Sequence, residues 1–174
     1  MRMRLLLLAA LAASAAPAGA EVKFSSPGSF EVEAKAVVAA TPAQTYAMLG
    51  RIGEWWSKDH TYSGNAANLS LDLRAGGCFC ERLKGGGSVE HMRVVYAEPG
   101  KRLRLHGGLG PLQGEAVAGT LTWSLRAVPG GTEVTQSYVV GGYIRMGGDK
   151  LAAPVDAVLS QQLGHLQSRI ARRR

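Results

Sequence analysis

Apolar and polar residues alternate along most of this chain, and the period of that alternation changes once, near Asp149. In "FEVEAKAVVA", Phe30, Val32, Ala34 and Ala36 fall on one side and Glu31, Glu33 and Lys35 on the other, which predicts a half-buried strand. "TPAQTYAMLG" then reads as a short helix, with Thr41 as N-cap, Pro42 at the first helical position, Gln44 completing a capping box and Gly50 as the stop. A second short helix is predicted over Ile52 to Trp56. After Gly64 the pattern is that of strands. "NLSLDLRAGG" sets Leu69, Leu71 and Leu73 against Ser70, Asp72 and Arg74, and "CFCERL" is closed by "KGGG". "VEHMRVVYAEPGKRLRLHG" reads as two strands joined at Pro99-Gly100. "VAGTLTWSLRAVPGGTEVTQSYVVGG" reads as a hairpin that turns at Pro129-Gly130-Gly131. Its first arm puts Leu121, Trp123 and Leu125 on one face, and its second does the same with Val134, Gln136, Tyr138 and Val140. From Asp149 to about Arg172 the spacing becomes three and four residues, with Leu151, Val155, Leu159, Gln162, Leu166 and Ile170 on one stripe. That spacing predicts a long amphipathic helix, which Pro154 would make start properly near Ala152 or Ala153.

The order is a strand, two short helices, a run of antiparallel strands and one long helix. The class is α+β, with a curved sheet of about six to seven strands around the C-terminal helix. A single long helix must bury its apolar stripe on the concave face of such a sheet, and a curled sheet gripping one helix leaves a hollow at one end where small molecules bind.

Composition refines this picture at three points. Arg2 and Arg4, the apolar run Leu5 to Ala16 and the small residues Ala18-Gly19-Ala20 form a secretory leader with cleavage expected after about Ala20. The apolar run is too short for an ordinary membrane span, and neither a lipid-anchor cysteine nor a twin-arginine pair is present. Residues 21–174 then make a single domain, periplasmic or secreted, and the heavy use of Ala, Gly and Arg points to a GC-rich bacterium. Loss of the leader's two arginines lowers the formal charge from +7 to +5, of which three positives are the terminal Arg172, Arg173 and Arg174. The remaining positives are scattered. No basic stripe with interleaved aromatics suggests nucleic acid, and at most a weak attraction to an anionic envelope surface is expected. Cys78 and Cys80 are the only cysteines. On a regular strand such positions stand about 6.5–7 Å apart on one face, whereas a disulfide wants Cβ atoms about 3.8 Å apart. The expectation is two unbridged small side chains in a dry sheet face; a soft-metal or redox site would need His or Met partners that the neighbouring sequence does not supply.

The candidate chemistry is sparse. Two of the three tryptophans are adjacent in "GEWWSKDHTYSG". Neighbouring side chains point to different sides, so at most one of Trp55 and Trp56 is expected to be deeply buried; one of the pair suits a ligand wall, with closure of the core beneath the sheet as the alternative. His60 beside Asp59 is a candidate general base, with Glu81 as a second acid/base candidate that could equally be an edge-strand charge. His91, His106 and His165 lack the spacing of a metal site and read as surface or satisfied core histidines. Gln136 and Gln162 interrupt apolar faces, and each needs a buried partner: a side chain, water or a ligand. No serine elbow, phosphate loop or dinucleotide fingerprint occurs, and no cofactor or metal is implied.

The stretches "TPAQTYAMLGRIGEWWSKDH", "LSLDLRAGGCFCERL", "VVYAEPGKRLRL", "GTLTWSLRAVPGGTEVTQSYVV" and the terminal helix resemble the START-like or Bet v 1-like (SRPBCC) superfamily. Within it they are most similar to the polyketide cyclase/dehydrase-like and Hsp90-ATPase-activator-homologue-like members. The likeness covers nearly all of Phe30 to Ile170 and implies the helix-grip fold. It implies several functions, because the superfamily includes lipid and hormone binders, cyclases and oxygenase subunits. The first expectation is a binding protein for a small hydrophobic ligand such as a lipid, an aromatic polyketide or a quinone. Trp55, Trp56, Leu121, Trp123, Tyr138, Val155, Leu159 and Leu166 would supply the wall, and His60, Gln136 and Gln162 the orientation. The alternatives are a cyclase or dehydratase-type enzyme in the same cavity, using His60, Glu81 or Tyr138, and an envelope protein-interaction module. The last would show a closed cavity and an exposed apolar patch.

Overall fold

The computed structural model describes residues 19–172. Its strands are β1 (Gly19–Ser26), β2 (Ser29–Val38), β3 (Leu69–Leu71), β4 (Cys78–Arg82), β5 (Ser88–Glu98), β6 (Arg102–His106), β7 (Ala116–Val128) and β8 (Gly131–Tyr143). They form one antiparallel sheet in the order β1-β2-β8-β7-β6-β5-β4-β3. Helix α1 (Pro42–Gly50) follows β2, and α2 (Gly148–Ala171) ends the chain. This is the α+β arrangement of a curved sheet around one long helix that the apolar pattern implies, and the helix-grip fold that the resemblance implies, with eight strands instead of six to seven. The expected leader lies outside the described residues up to residue 18, and Gly19 and Ala20 open β1 opposite Lys35 and Ala34.

Local chemistry accounts for most boundaries. Thr41 caps α1 reciprocally: its Oγ1 accepts from the Gln44 N–H, and Gln44 Oε1 accepts from the Thr41 N–H at 2.9 Å. The inward residues of β2, Phe30, Val32, Ala34, Ala36 and Val38, are all buried, as are Leu121 and Trp123 of β7 and Val134, Gln136, Tyr138 and Val140 of β8. Trp123 lies directly across from Gln136, and Leu121 across from Tyr138. Against this face α2 buries Leu159, Leu163, Leu166 and Ile170, each worth roughly 1.5–3 kcal/mol of apolar burial.

The expected second short helix forms only as a three-residue 3-10 turn, Ile52–Glu54, and four further features depart from the sequence expectation. Strand β1 is not foreshadowed by the apolar pattern, because its apolar residues Val22 and Phe24 are exposed at a sheet edge and its core-side contribution is small. The leucine-alternating segment yields only three paired residues, since β3 ends at Leu71 and the chain turns before Gly77. Helix α2 begins at Gly148, before the expected Ala152 or Ala153. Pro154 is accommodated because it and Ala153 are exposed, and because the carbonyl it leaves without a helical donor belongs to the exposed Lys150.

The fourth departure is the disulfide between Cys78 and Cys80. Their Cα atoms are 5.3 Å apart, not the 6.5–7 Å of a regular strand. The register explains it: Phe79 pairs with Met92 but Cys80 pairs with Glu90, so His91 is the extra residue of a bulge on β5, and β4 is irregular opposite it. The cysteines are half-buried on the outer side of β4, so the dry face is not theirs; it holds Phe79 and Glu81 instead.

Candidate functional site

Helix α2 packs on β1 and β2, at one end of the strand order, while β4 and β5 lie towards the other end. The sheet curls far enough that Phe79 of β4 and His91 of β5 line the same hollow as Leu151, Pro154, Val155, Val158 and Leu159 of α2. The cavity measures about 470 Å³. Trp56, Asp59, His60, Thr61 and Tyr62 close one side, and Leu109, Gly110 and Pro111 form a roof. Among the described residues a larger groove of about 880 Å³ runs between α1, the β7–β8 turn and Ile170, but Arg51 is its only charged lining residue and no titratable groups converge there.

The wall is fixed by hydrogen bonds that hide every indole and phenol donor from the ligand space. Trp56 stacks edge-on to Phe79 with centroids 5.5 Å apart, and its Nε1 donates to the His60 carbonyl at 3.1 Å. Trp55 turns the other way, donating to the Met48 carbonyl at 2.9 Å and meeting Trp123 edge-on. Tyr138 holds the roof. Its hydroxyl donates to the Gly107 carbonyl and accepts from the Leu109 N–H, both at 3.0 Å. Burial pushes its pKa up to about 12 against the partial relief given by that N–H. Gly119 makes this contact possible, because a Cβ there would lie 2.2 Å from the Gly107 carbonyl and 2.6 Å from the Tyr138 hydroxyl. Tyr62 ties the two loops across the mouth by donating to the Gly110 carbonyl at 3.1 Å.

The expected ligand-orienting groups divide sharply. Gln136 Oε1 accepts from Trp123 Nε1 at 2.8 Å and its Nε2 donates to the Leu159 carbonyl at 2.9 Å, so both ends are used inside the core. Gln162 Oε1 accepts from the Ser57 N–H at 2.8 Å, pinning the segment after Trp56 to α2. Its Nε2 has no partner but is sealed from solvent and cavity alike. Of the residues named from sequence, Trp56, His60, Val155 and Leu159 line the hollow; Trp55, Leu121, Trp123, Gln136, Tyr138, Gln162 and Leu166 are placed in the core behind it. His60 is exposed at the rim, with Nε2 3.2 Å from Gln161 Oε1.

Glu81 does not meet His60. It is 1% exposed and faces inward rather than lying on an open edge. Its carboxylate accepts from the Tyr62 N–H at 3.0 Å and the Ser63 N–H at 2.5 Å, and it lies 3.0 Å from His91 Nε2. Burial pushes its pKa up, but the hydrogen bonds from Ser63, Tyr62 and His91 outweigh burial and hold it below the ordinary 4.5. Burial also dominates at His91 and lowers its pKa below 6.5, against the opposing pull of Glu81. Both effects give one state near neutrality: an ionised Glu81 and a neutral His91 whose Nε2–H donates to it. His91 is a pocket residue, whereas the sequence pattern groups it with surface or satisfied core histidines. The partner half of that reading holds, since Glu81 satisfies one nitrogen, but it leaves out the other nitrogen. The alternation Phe79, Glu81 against Met92 with a bulge at His91 is the only signal, and a bulge is invisible in sequence.

Among the described residues no cluster of His, Cys, Asp and Glu is arranged to hold a metal, and no helix is long and apolar enough to cross a membrane.

Neither a protein-family model nor a curated protein matches the chain. Solved structures match its fold. A protein from Rhizobium leguminosarum superposes with TM-score 0.62 at 18% identity, over 90% of this chain and 99% of that one. CalU16 from Micromonospora echinospora gives 0.56 at 16% identity, covering 85% and 81%. DynU16, from the dynemicin biosynthetic locus, gives 0.55 at 18% identity, over 79% of this chain and 46% of its own. At these identities the likenesses show the fold alone, a curved antiparallel sheet around one long helix.

Proposed function

We propose that the protein binds a small, flat, mostly apolar molecule in the hollow between α2 and β4–β5. The observation that carries this reading is an open cavity of about 470 Å³ walled by Trp56, Phe79, Leu109, Val155 and Val158, with few polar groups at its edge. That size and lining suit a drug-sized apolar ligand. Desolvation against the aromatic walls supplies the affinity. The similarity to DynU16, a protein of a biosynthetic locus, supports a small-molecule role over a structural one. An open hollow also argues against the protein-interaction module, which calls for a closed one. The binder acts in the periplasm or outside the cell after export by its N-terminal leader, and the Cys78–Cys80 disulfide supports an oxidising compartment. Weak attraction to an anionic envelope surface belongs to the same proposal.

The test is calorimetric titration with 2-tetralone, a flat bicyclic ketone, beside native mass spectrometry of protein purified from its own host. Saturable binding, weakened about tenfold by Val158→Phe through the loss of about 1.4 kcal/mol, supports the reading. Heat-silent titration together with a bare apoprotein spectrum overturns it.

A further inference from the structure

His91 presents to the hollow a ring nitrogen that no protein group pairs. His91 makes a single hydrogen bond, from Nε2 to Glu81, and lines the cavity. With the Nε2 proton committed to an ionised carboxylate, Nδ1 is left as a bare acceptor. Ser160 Oγ and Gln162 Nε2 are the sealed side-chain atoms without a partner among the described residues, and His91 Nδ1 is not among them. The ring is 6% exposed, so the little surface it keeps is on the cavity it lines. Two rings pack against it, Phe79 at 4.8 Å and Tyr62 at 5.8 Å between centroids. Glu81 in turn is fixed by two backbone N–H groups of the loop that carries Tyr62. The imidazole therefore has a defined tautomer, a defined plane and a free lone pair in an apolar cleft, which are the requirements for a general base.

We propose that His91, oriented by Glu81, is a catalytic base that removes a proton from an enolisable carbonyl compound bound in the hollow. The inference rests on the binding function proposed above and names the ligand class. An apolar body fits the walls, and an acidic C–H next to a carbonyl suits the single acceptor. In the step the C–H electron pair becomes the new C–C π bond, the carbonyl π pair moves to oxygen, and the proton goes to Nδ1. The resulting imidazolium is neutralised across Nε2 by the Glu81 carboxylate. Return of the proton to carbon or to oxygen closes the cycle, with nothing oxidised or reduced. Glu81 touches no ligand and acts as a positioning residue. Besides His91, the titratable groups lining the hollow are Asp59, His60 and Tyr62; Glu81 lies behind it, and α2 and the roof contribute none.

The experiment follows exchange of the C–H protons next to the carbonyl of 2-tetralone into deuterated water by NMR, with binding measured in parallel on the same protein. Wild type should accelerate exchange about a hundredfold over buffer, with a rate that rises with pH and levels off below 6.5, the ordinary imidazole value. His91→Gln keeps an N–H for Glu81 but has no base. At saturating 2-tetralone it should exchange at the buffer rate, whatever the change in its affinity. Glu81→Gln should slow exchange and move the inflection to lower pH, because the carboxylate that raises the imidazole pKa is gone; a purely structural role would leave the inflection in place. Binding without accelerated exchange in wild type, or undiminished exchange in His91→Gln, overturns the assignment and leaves the binding function standing. Absence of binding in wild type overturns both. Should either variant fail to fold, NMR titration of His91 in wild type decides: an imidazole pKa that does not coincide with the inflection of the exchange rate refutes the proposal.

Discussion

Tyr138→Phe is the most direct test of how the core positions the hollow. The substitution removes one oxygen and little volume. That oxygen serves the Gly107 carbonyl and the Leu109 N–H at 3.0 Å each, and the side chain is fully buried. Phe leaves two backbone groups without a partner beneath the roof. An unsatisfied buried group costs about 1–3 kcal/mol, and water from the adjacent cavity relieves part of that, so the loss should be about 2–4 kcal/mol. At 2–4 °C per kcal/mol for a chain of this size, Tm at pH 7 should fall by about 4–16 °C. Alkaline pH supplies an internal control. The folded-state pKa of about 12 exceeds the ordinary 10. The stability linked to this phenol is therefore complete below pH 10 and is lost as pH rises through 12, towards a total of about 2.7 kcal/mol at 1.36 kcal/mol per pH unit. Wild type should lose that increment between pH 10 and 12 and the variant should not, so the two denaturation midpoints converge as pH rises. Affinity for a ligand in the hollow should weaken too, because Leu109 to Pro111 form its roof. A variant whose Tm at pH 7 stays within about 1 °C of wild type, with an unchanged gap at alkaline pH, refutes the account of the roof.

Two further predictions concern β4. The Glu81 pKa is lowered in the folded protein, so its stabilisation is present above the ordinary 4.5 and lost as pH falls through the folded value. Tm measured from pH 6 downwards should drop more steeply in wild type than in Glu81→Gln; parallel curves would contradict the hydrogen-bonded carboxylate. The Cys78–Cys80 bridge closes a very short loop, which the chain-entropy relation values at about 1.6 kcal/mol. Cys78→Ser with Cys80→Ser should lower Tm by about 3–6 °C. Reduction of wild type should add the mass of two hydrogens, and free thiols in the unreduced protein would contradict the bridge.

The fold is legible because its information is periodic. Phe30 to Ala36 and Val134 to Val140 alternate with a period of two, and Leu151 to Ile170 repeat every three to four residues, so the spacing alone identifies the faces that pack. The site is less legible, because the inward residues of β7 and β8 are not those that border the hollow. Leu121, Trp123, Gln136 and Tyr138 point inward as expected, but large side chains at those positions fill the grip instead of leaving it open. The ligand space opens between α2 and the far end of the sheet, which depends on curl and on two loops without periodicity. The bulge that places His91 and shortens the Cys78 to Cys80 distance is a register event between strands. Register is a property of a pair of strands, and no single stretch of sequence carries it.

Five polar side chains inside this fold illustrate how hydrogen-bond capacity separates structural from chemical roles. Gln136 spends its oxygen on Trp123 and its nitrogen on Leu159, and Tyr138 spends both functions of its hydroxyl on the roof. Neither has anything left for a ligand, whichever way it faces. Gln162 has a spare N–H, but it is walled off. The Glu81 oxygens are engaged by the Tyr62 and Ser63 N–H groups and by His91. His91 alone combines a satisfied side, which fixes it, with an unsatisfied side on the cavity. A buried polar group with one valence to spare is costly unless something occupies it, and in an apolar hollow the occupant must bring its own donor. The same arithmetic that removes Gln136 and Gln162 from the list of ligand contacts therefore selects His91, and it requires of the ligand one acidic hydrogen at the end of an apolar frame.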